Sequence, residues 1–270
     1  MPPKIIFIVP YRDREPHKYF FDRYMPYILE DYNEDDYEII FSHQNNKLPF
    51  NRGAMKNLGF LYAKNKYPET YKDITFVFND IDSLPYRKGL LDFQTTKGII
   101  KHFYGYKFGL GGIFSIVGSD FEKTNGFPNF WGWGFEDNEI QRRALAHGFK
   151  IDRSVFFTVN SMEILHFYDE TVKQITRSQM EHEVGSHSND GIKSLHEIYS
   201  TWNEETNMLD NTGFKCLLNH DDDIISHDIR HGNKIKYNKN AFKKNKESKN
   251  NKVKRTKTSN DKMYTFVYKK

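Results

Sequence analysis

The run DITFVFNDIDSLP, residues 73–85, decides how the rest of the chain is read. Its apolar segment, Ile74–Phe78, is short and unbroken, which suits a strand buried on both faces. It then runs straight into polar residues, Asn79, Asp80 and Asp82. Working outward, KIIFIVP (4–10) is another continuous apolar run, closed by Pro10, and YEIIFSHQ (37–44) is a third short strand. Between these lies HKYFFDRYMPYILEDY (17–32), with near-helical apolar spacing that Pro26 is expected to interrupt or kink. RGAMKNLGFLYAKNKY (52–67) sets Ala54, Leu58, Leu61 and Tyr62 on one helical stripe. Strand–helix–strand–helix–strand at this spacing predicts an α/β fold, an open and mostly parallel central sheet with helices on its faces. In such sheets ligands sit beyond the carboxyl ends of the strands. Two of those ends carry polar clusters, PYRDR (10–14) and NDID (79–82).

Composition limits the function classes. With 270 residues, 16% aromatic and 28% charged, the chain is neither wholly disordered nor embedded in a membrane. No stretch approaches 18 consecutive apolar residues. The start shows no basic region followed by an apolar run and a cleavage site, and the single cysteine, Cys216, forms no internal disulfide. A soluble, cytoplasmic protein is the expectation. The net charge of +4 hides a division, because residues 233–270 hold 14 Lys or Arg against 2 acids while residues 1–232 hold 26 against 34. Residues 1–232 are therefore predicted to form the folded domain and 233–270 a disordered Lys/Asn-rich tail. Its functional reading is a contact with an anionic partner, and its competing reading is a solvated tail shaped by codon composition.

Asp80 and Asp82 stand at i and i+2 after the apolar run. On an extended backbone both carboxylates face one spot, a geometry suited to Mg²⁺ or Mn²⁺ holding a phosphorylated ligand; a solvated strand end is the alternative. Residues 109–148, GLGGIFSIVGSDFEKTNGFPNFWGWGFEDNEIQRRALAHG, are less generic. Gly109, Gly111 and Gly112 permit close backbone approach. In FWGWGFEDNE two tryptophans alternate with glycines before a cluster of acids. Such tryptophans are wasteful as core but make sense as a platform for the apolar face of a sugar, with the carboxylates taking its hydroxyls. A helix is expected to start near Glu136 and stop at Gly148. Arg142, Arg143 and His147 are assigned to its polar face. The segment 219–231 (NHDDDIISHDIRH) reads as a solvated loop rather than a metal cluster, and so do His182 and His187.

Taken together, VPYRDREPH (9–17), FNRGAMKNLGF (50–60), FNDIDSLP (78–85), residues 111–140, EILHFYDE (163–170) and NDGIKSL (189–195) resemble, in order, the β-1,4-galactosyltransferases. The resemblance covers about residues 4–200 and rests most specifically on the Trp-Gly-Trp-Gly-x-Glu-Asp block. It implies a GT-A fold and an inverting, Mn²⁺-dependent (Mg²⁺ as the alternative) transfer of galactose or a related sugar from a UDP-sugar to a carbohydrate acceptor in β-1,4 linkage. By the same resemblance Pro10, Tyr11, Arg12, Arg14, Phe50, Arg52, Asp80, Gly112 and Trp133 bind the donor. Trp133, Glu136, Asp137 and Asn138 face the acceptor, with Asp137 as catalytic base. Asp82 and His166 hold the metal.

Departures from the family carry information too. Glu163 stands where methionine or histidine is common, three residues before His166, and is a candidate third, harder ligand. Gly109 replaces an aromatic that helps select galactose, which predicts a roomier donor site. Phe135 and Asn138 replace a glycine and an aspartate beside the acids. The stretch 167–188, where the acceptor loop belongs, matches weakly. Two other classes compete: a non-catalytic carbohydrate-binding protein on the same fold, and a nucleic-acid-binding protein acting through its tail.

Overall fold

In the computed structural model β1 (Ile5–Tyr11) is buried along its whole length, and its alternation explains why the run is apolar throughout. Ile5, Phe7, Val9 and Tyr11 point to one face and join Phe21 and Met25, while Ile6 and Ile8 point to the other and join Phe60 and Ala63. Phe21 and Met25 come from α1 (Glu15–Ile28), and Phe60 and Ala63 from α2 (Arg52–Lys66). One strand thus serves two cores, with a helix packed on each side of the sheet. The structure describes residues 1–168, 172–176, 189–220 and 224–228.

The other elements are β2 (Tyr37–Gln44), β3 (Thr75–Asn79), β4 (Ser83–Pro85), β5 (Ile99–Gly105), β6 (Ile113–Val117), α3 (Gly118–Lys123) and α4 (Glu136–Ala146). They continue with β7 (Lys150–Asp152), β8 (Phe157–Thr158), β9 (Ile164–His166), β10 (Val172–Thr176), β11 (His196–Asn203), β12 (Met208–Lys215) and β13 (Ile224–Asp228). The main sheet runs β11-β12-β2-β1-β3-β6-β5-β7, with β8 also on β5. β12, β2, β1 and β3 are mutually parallel, as predicted, and β6 is antiparallel to both β3 and β5. Two small sheets, β4–β9 and β10–β13, lie off it.

Three expectations need correction. α1 runs through Pro26 and ends only two residues later, because the proline sits in the last turn, where little helix remains to be disrupted. The segment 219–231 is not simply a solvated loop: residues 224–228 pair with β10 as β13. Arg143 is not on a polar face; it is buried and donates to the carbonyls of Gly126 and Asp190, each at 2.8 Å. α4 otherwise ends as expected, with Gly148 at φ +77° just past it. No helix among the described residues is long and apolar enough to cross a membrane. His182, His187 and the tail 233–270 lie outside the described residues.

Candidate active site

A buried polar frame fixes the loop that carries the tryptophans. Asn51 caps α2 by accepting from the Ala54 amide at 2.8 Å, worth about 1 kcal/mol, and its own amide donates to the Asn129 carbonyl at 2.8 Å. One turn on, Asn57 accepts from the Phe127 amide and donates to the Phe127 carbonyl and the Asn129 side chain. The Asp190 carboxylate accepts from the Asn129 backbone amide at 2.6 Å and from its side chain at 2.9 Å. All four side chains are buried, and each hydrogen bond offsets a desolvation cost that would otherwise oppose folding. Within this frame the two tryptophans diverge. Trp131, 2% exposed, stacks on Phe214 at 5.3 Å and donates from Nε1 to the Leu218 carbonyl, so it is core and not platform. Trp133 lies over the cleft, its backbone amide donating to the Gln174 carbonyl of β10 at 2.6 Å.

Five charged side chains meet on the cleft floor. Arg52 and Lys56, one turn apart on α2, project from the same face of that helix. Arg52 lies 3.5 Å from Asp80 and 3.5 Å from Glu136; Lys56 lies 3.4 Å from Asp80 and 3.3 Å from Asp137. Burial opposes the charge on both cations, yet the surrounding carboxylates outweigh it and raise their pKa values above the ordinary ones. Burial also works against an ionised Asp80, but Arg52 and Lys56 hold its carboxyl below the usual range. Asp137 ends differently. Burial, reinforced by Glu136 and Asp80 and resisted by Lys56 and Arg52, pushes its pKa up to about 7. The glycines matter here, since a Cβ at Gly111 would lie 2.3 Å from the Asp137 carboxylate. Gly112, at φ +73°, accepts from the Asp80 amide at 2.9 Å and so ties the glycine loop to the end of β3.

Asp80 and Asp82 do not share an extended backbone. The Ser83 amide donates to the Asp80 carbonyl at 3.0 Å, closing a turn immediately after β3. The two carboxylates therefore part. Asp80 faces the floor, while Asp82 faces Arg14 at 3.5 Å and His166 at 4.0 Å. The Ser83 hydroxyl links this outer pair, 3.0 Å from Asp82 and 3.0 Å from His166 Nδ1. Burial lowers the His166 pKa against the pull of Asp82 and Asp80. Glu163 does not join them. In the antiparallel pairing of β9 with β4, Ser83 faces His166, and Glu163 lies three residues back along an extended chain. It is exposed and accepts from the Ser161 hydroxyl instead. Among the described residues no group of three His, Cys, Asp or Glu side chains forms a metal cluster.

Apart from Lys56, which lies beneath them, and Glu163, these groups line two adjoining clefts that share Arg52, Asp80, Asp82, Trp133 and Lys173. One is basic, with Arg12, Arg14 and Lys47 beside Pro10 and Phe50. The other is aromatic, with Tyr104, Phe108, Phe135 and Tyr168 around Gly112, Glu136, Asp137, Asn138 and His166. Of the predicted site residues, Tyr11 lines neither; it is buried in the core, edge-on to His43 at 5.0 Å. Arg12 reaches the Leu48 carbonyl and orders the cleft wall. Glu136 accepts from the Gly134 amide at 3.0 Å, and Asn138 donates to the Phe108 carbonyl at 2.8 Å. Gly109 leaves no simple void, because a Cβ there would already meet the backbone of Asp137 and Asn138 at 3.2–3.3 Å. Lys56, Asn57, Asn129 and Asp190 are the residues the sequence reading missed. Lys56 had one available signal, a charge four residues after Arg52 inside an otherwise apolar helical stripe.

The fold has solved counterparts. The catalytic domain of Drosophila β-1,4-galactosyltransferase 7 in complex with xylobiose superposes with a TM-score of 0.62 at 22% identity, covering 79% of this chain and 95% of that one. A variant of the same protein, in complex with manganese, UDP-Gal and xylobiose, gives 0.61 at 20% identity. This likeness establishes the GT-A architecture. In sequence, mouse β-1,4-galactosyltransferase 1 is 32% identical over 161 residues, and human β-1,4-galactosyltransferase 4 is 27% identical over 227. The chain spans 39% of the first of these relatives and 59% of the second. Residues 2–90 match the model of the N-terminal region of glycosyl transferase group 7, and residues 95–184 match that of the N-terminal domain of galactosyltransferase. Contiguous matches over most of the folded region, together with the shared architecture, place this chain in the β-1,4-galactosyltransferase family.

Proposed function

We propose that the protein is a metal-dependent glycosyltransferase that moves galactose or a related sugar from a UDP-sugar to a carbohydrate hydroxyl, with inversion and in β-1,4 linkage. The observation that carries this reading is the pair of adjoining clefts, one basic and one aromatic, meeting at Arg52, Asp80, Asp82 and Trp133. A nucleoside diphosphate suits the first, where arginines offer forked donors to phosphate. A pyranose suits the second, where aromatic faces meet carboxylates. The anomeric carbon then lies at the junction, between leaving group and acceptor.

The residues present fit a divalent cation. Asp82 and His166 offer one hard oxygen and one imidazole nitrogen, with Ser83 orienting both. Mg²⁺ and Mn²⁺ are commonly held by one or two side chains with substrate phosphates completing the shell, which agrees with a two-residue set. When bound, the ion supplies charge neutralisation for the departing diphosphate. Mn²⁺ is the first choice and Mg²⁺ the second, with Glu163 left out on geometry. Asp137 accepts the proton of the attacking hydroxyl as the new O–C bond forms and the bond from carbon to diphosphate oxygen breaks. Trp133 and Tyr168 line the aromatic cleft, and their rings limit the access of water as a competing acceptor.

The test is UDP release in the presence of Mn²⁺ across a panel of UDP-sugars and saccharide acceptors. Release with UDP-galactose or a close relative is expected. No turnover with any acceptor, together with no nucleotide binding by calorimetry, overturns the reading. Nucleotide binding without turnover would favour the non-catalytic carbohydrate-binding alternative.

A further inference from the structure

Lys56 is the one lysine buried among the described residues, with 1% of its surface exposed. A helix packed on a sheet gains nothing in stability from an ammonium there, since apolar side chains fill such positions at least as well. Its neighbours give it another purpose. Nζ lies 3.4 Å from Asp80 Oδ1, 3.3 Å from Asp137 Oδ1 and 4.6 Å above the centre of the Phe127 ring. Asp80 hangs from the turn after β3, whereas Asp137 belongs to the first turn of α4, so Lys56 bridges these two elements beside Arg52, which bridges them through Asp80 and Glu136.

We propose that Lys56 is a positioning residue of this site, its ammonium clamping the donor-side Asp80 and the acceptor-side Asp137 at a fixed separation and keeping Asp137 available as a carboxylate. The proposal rests on the reading of Asp137 as proton acceptor. Four charged groups face Asp137: Lys56 and Arg52 from α2, Glu136 from its own helix and Asp80 from the end of β3. Arg52 is already engaged by Asp80 and Glu136. Without Lys56, three carboxylates share one arginine, and Asp137 is the member left to take up a proton. A protonated Asp137 cannot receive the proton of an incoming hydroxyl. The lysine thus acts through Asp137 and touches no reacting atom itself.

Lys56→Met keeps the side-chain length and removes the charge. Carbon-13 NMR of the Asp137 carboxyl should show its titration midpoint rising by about one to three pH units in this variant. Turnover at pH 7 should fall at least about fivefold and recover toward the unmodified enzyme at higher pH, where Asp137 is again ionised. In an Asp137→Asn background, the same lysine change should cost no further activity. The reciprocal experiment needs no change at Lys56: Asp137→Asn should lower the titration midpoint of the Lys56 ammonium, followed by nitrogen-15 NMR, by about one unit or more. An unmoved Asp137 midpoint in a folded Lys56→Met protein, or an unmoved Lys56 midpoint in Asp137→Asn, overturns the proposal. Should no donor turn over at all, the transferase reading fails by itself, while the two NMR titrations still decide the role of Lys56.

Discussion

The floor and the rim of the cleft use the same residue types to different ends. On the floor, Asp80 and Glu136 are buried and Asp137 is half-buried, with Arg52 and Lys56 in reach, so the charges are paired before any ligand arrives. At the rim, Asp82 and His166 are partly exposed, 4.0 Å apart, and linked through the Ser83 hydroxyl. The contrast teaches what each is for. Preorganised, densely paired charges exert strong and constant fields on a reacting group, whereas a looser pair joined through a hydroxyl is suited to exchangeable ligands. Two aspartates separated by one residue fall on opposite sides of this divide because a single turn lies between them.

The comparison breaks most sharply at Asp137. Asp137→Asn should lower turnover by about two to four orders of magnitude while nucleotide binding, measured by calorimetry, is retained; equal loss of both would mean that floor and rim are not separable. At the rim, Ser83→Ala should raise the Mn²⁺ concentration needed for half-maximal activity by about 10–100-fold, because nothing then orients Asp82 against His166. An unchanged metal titration would remove Ser83 from the account. The pH profile sharpens the floor. As the proposed proton acceptor Asp137 must be a carboxylate, and its pKa is pushed up to about 7, so activity should be present above that value and fall about tenfold per pH unit below it. A profile flat down to pH 5 contradicts the assignment.

Smaller effects mark the boundary between the two regions. Phe135 enters α4 at φ +67°, a left-handed conformation that is costly for a bulky residue. Phe135→Gly should raise stability by about 1 kcal/mol in denaturant titration while weakening acceptor binding, since an aromatic wall of the cleft is lost. A variant no more stable than the parent would show that packing of the ring offsets the strain. The smallest expected effect is at Glu163. Glu163→Gln should leave the Mn²⁺ titration unchanged, and a marked shift would bring that carboxylate back to the metal.

Much of this was legible in residues 4–85. Unbroken apolar runs announce strands buried on both faces, and β1 shows why, feeding alternate side chains to two cores. The acids at the start of α4 and the glycine after its end were equally plain, because capping and chain reversal are local. Trp131 was not. Its neighbours in sequence describe a sugar platform, and only the distant Phe214 makes it core. Glu163 misleads for a related reason, since spacing along the chain becomes a direction in space only when the backbone conformation is known.

The amino-acid sequence alone determined the first three strands with their two helices, the start of α4, the parallel centre of the sheet and the family, all of which follow from periodicity and short motifs. Tertiary structure alone decided that Asp80 and Asp82 part company, that Lys56 joins α2 to both β3 and α4, and that Asn129 and Asp190 hold the tryptophan loop. Those outcomes depend on contacts between residues far apart in the chain, 81 positions in the pairing of Lys56 with Asp137 and 83 in that of Ser83 with His166. Such contacts set burial and local charge, and no window of sequence contains them.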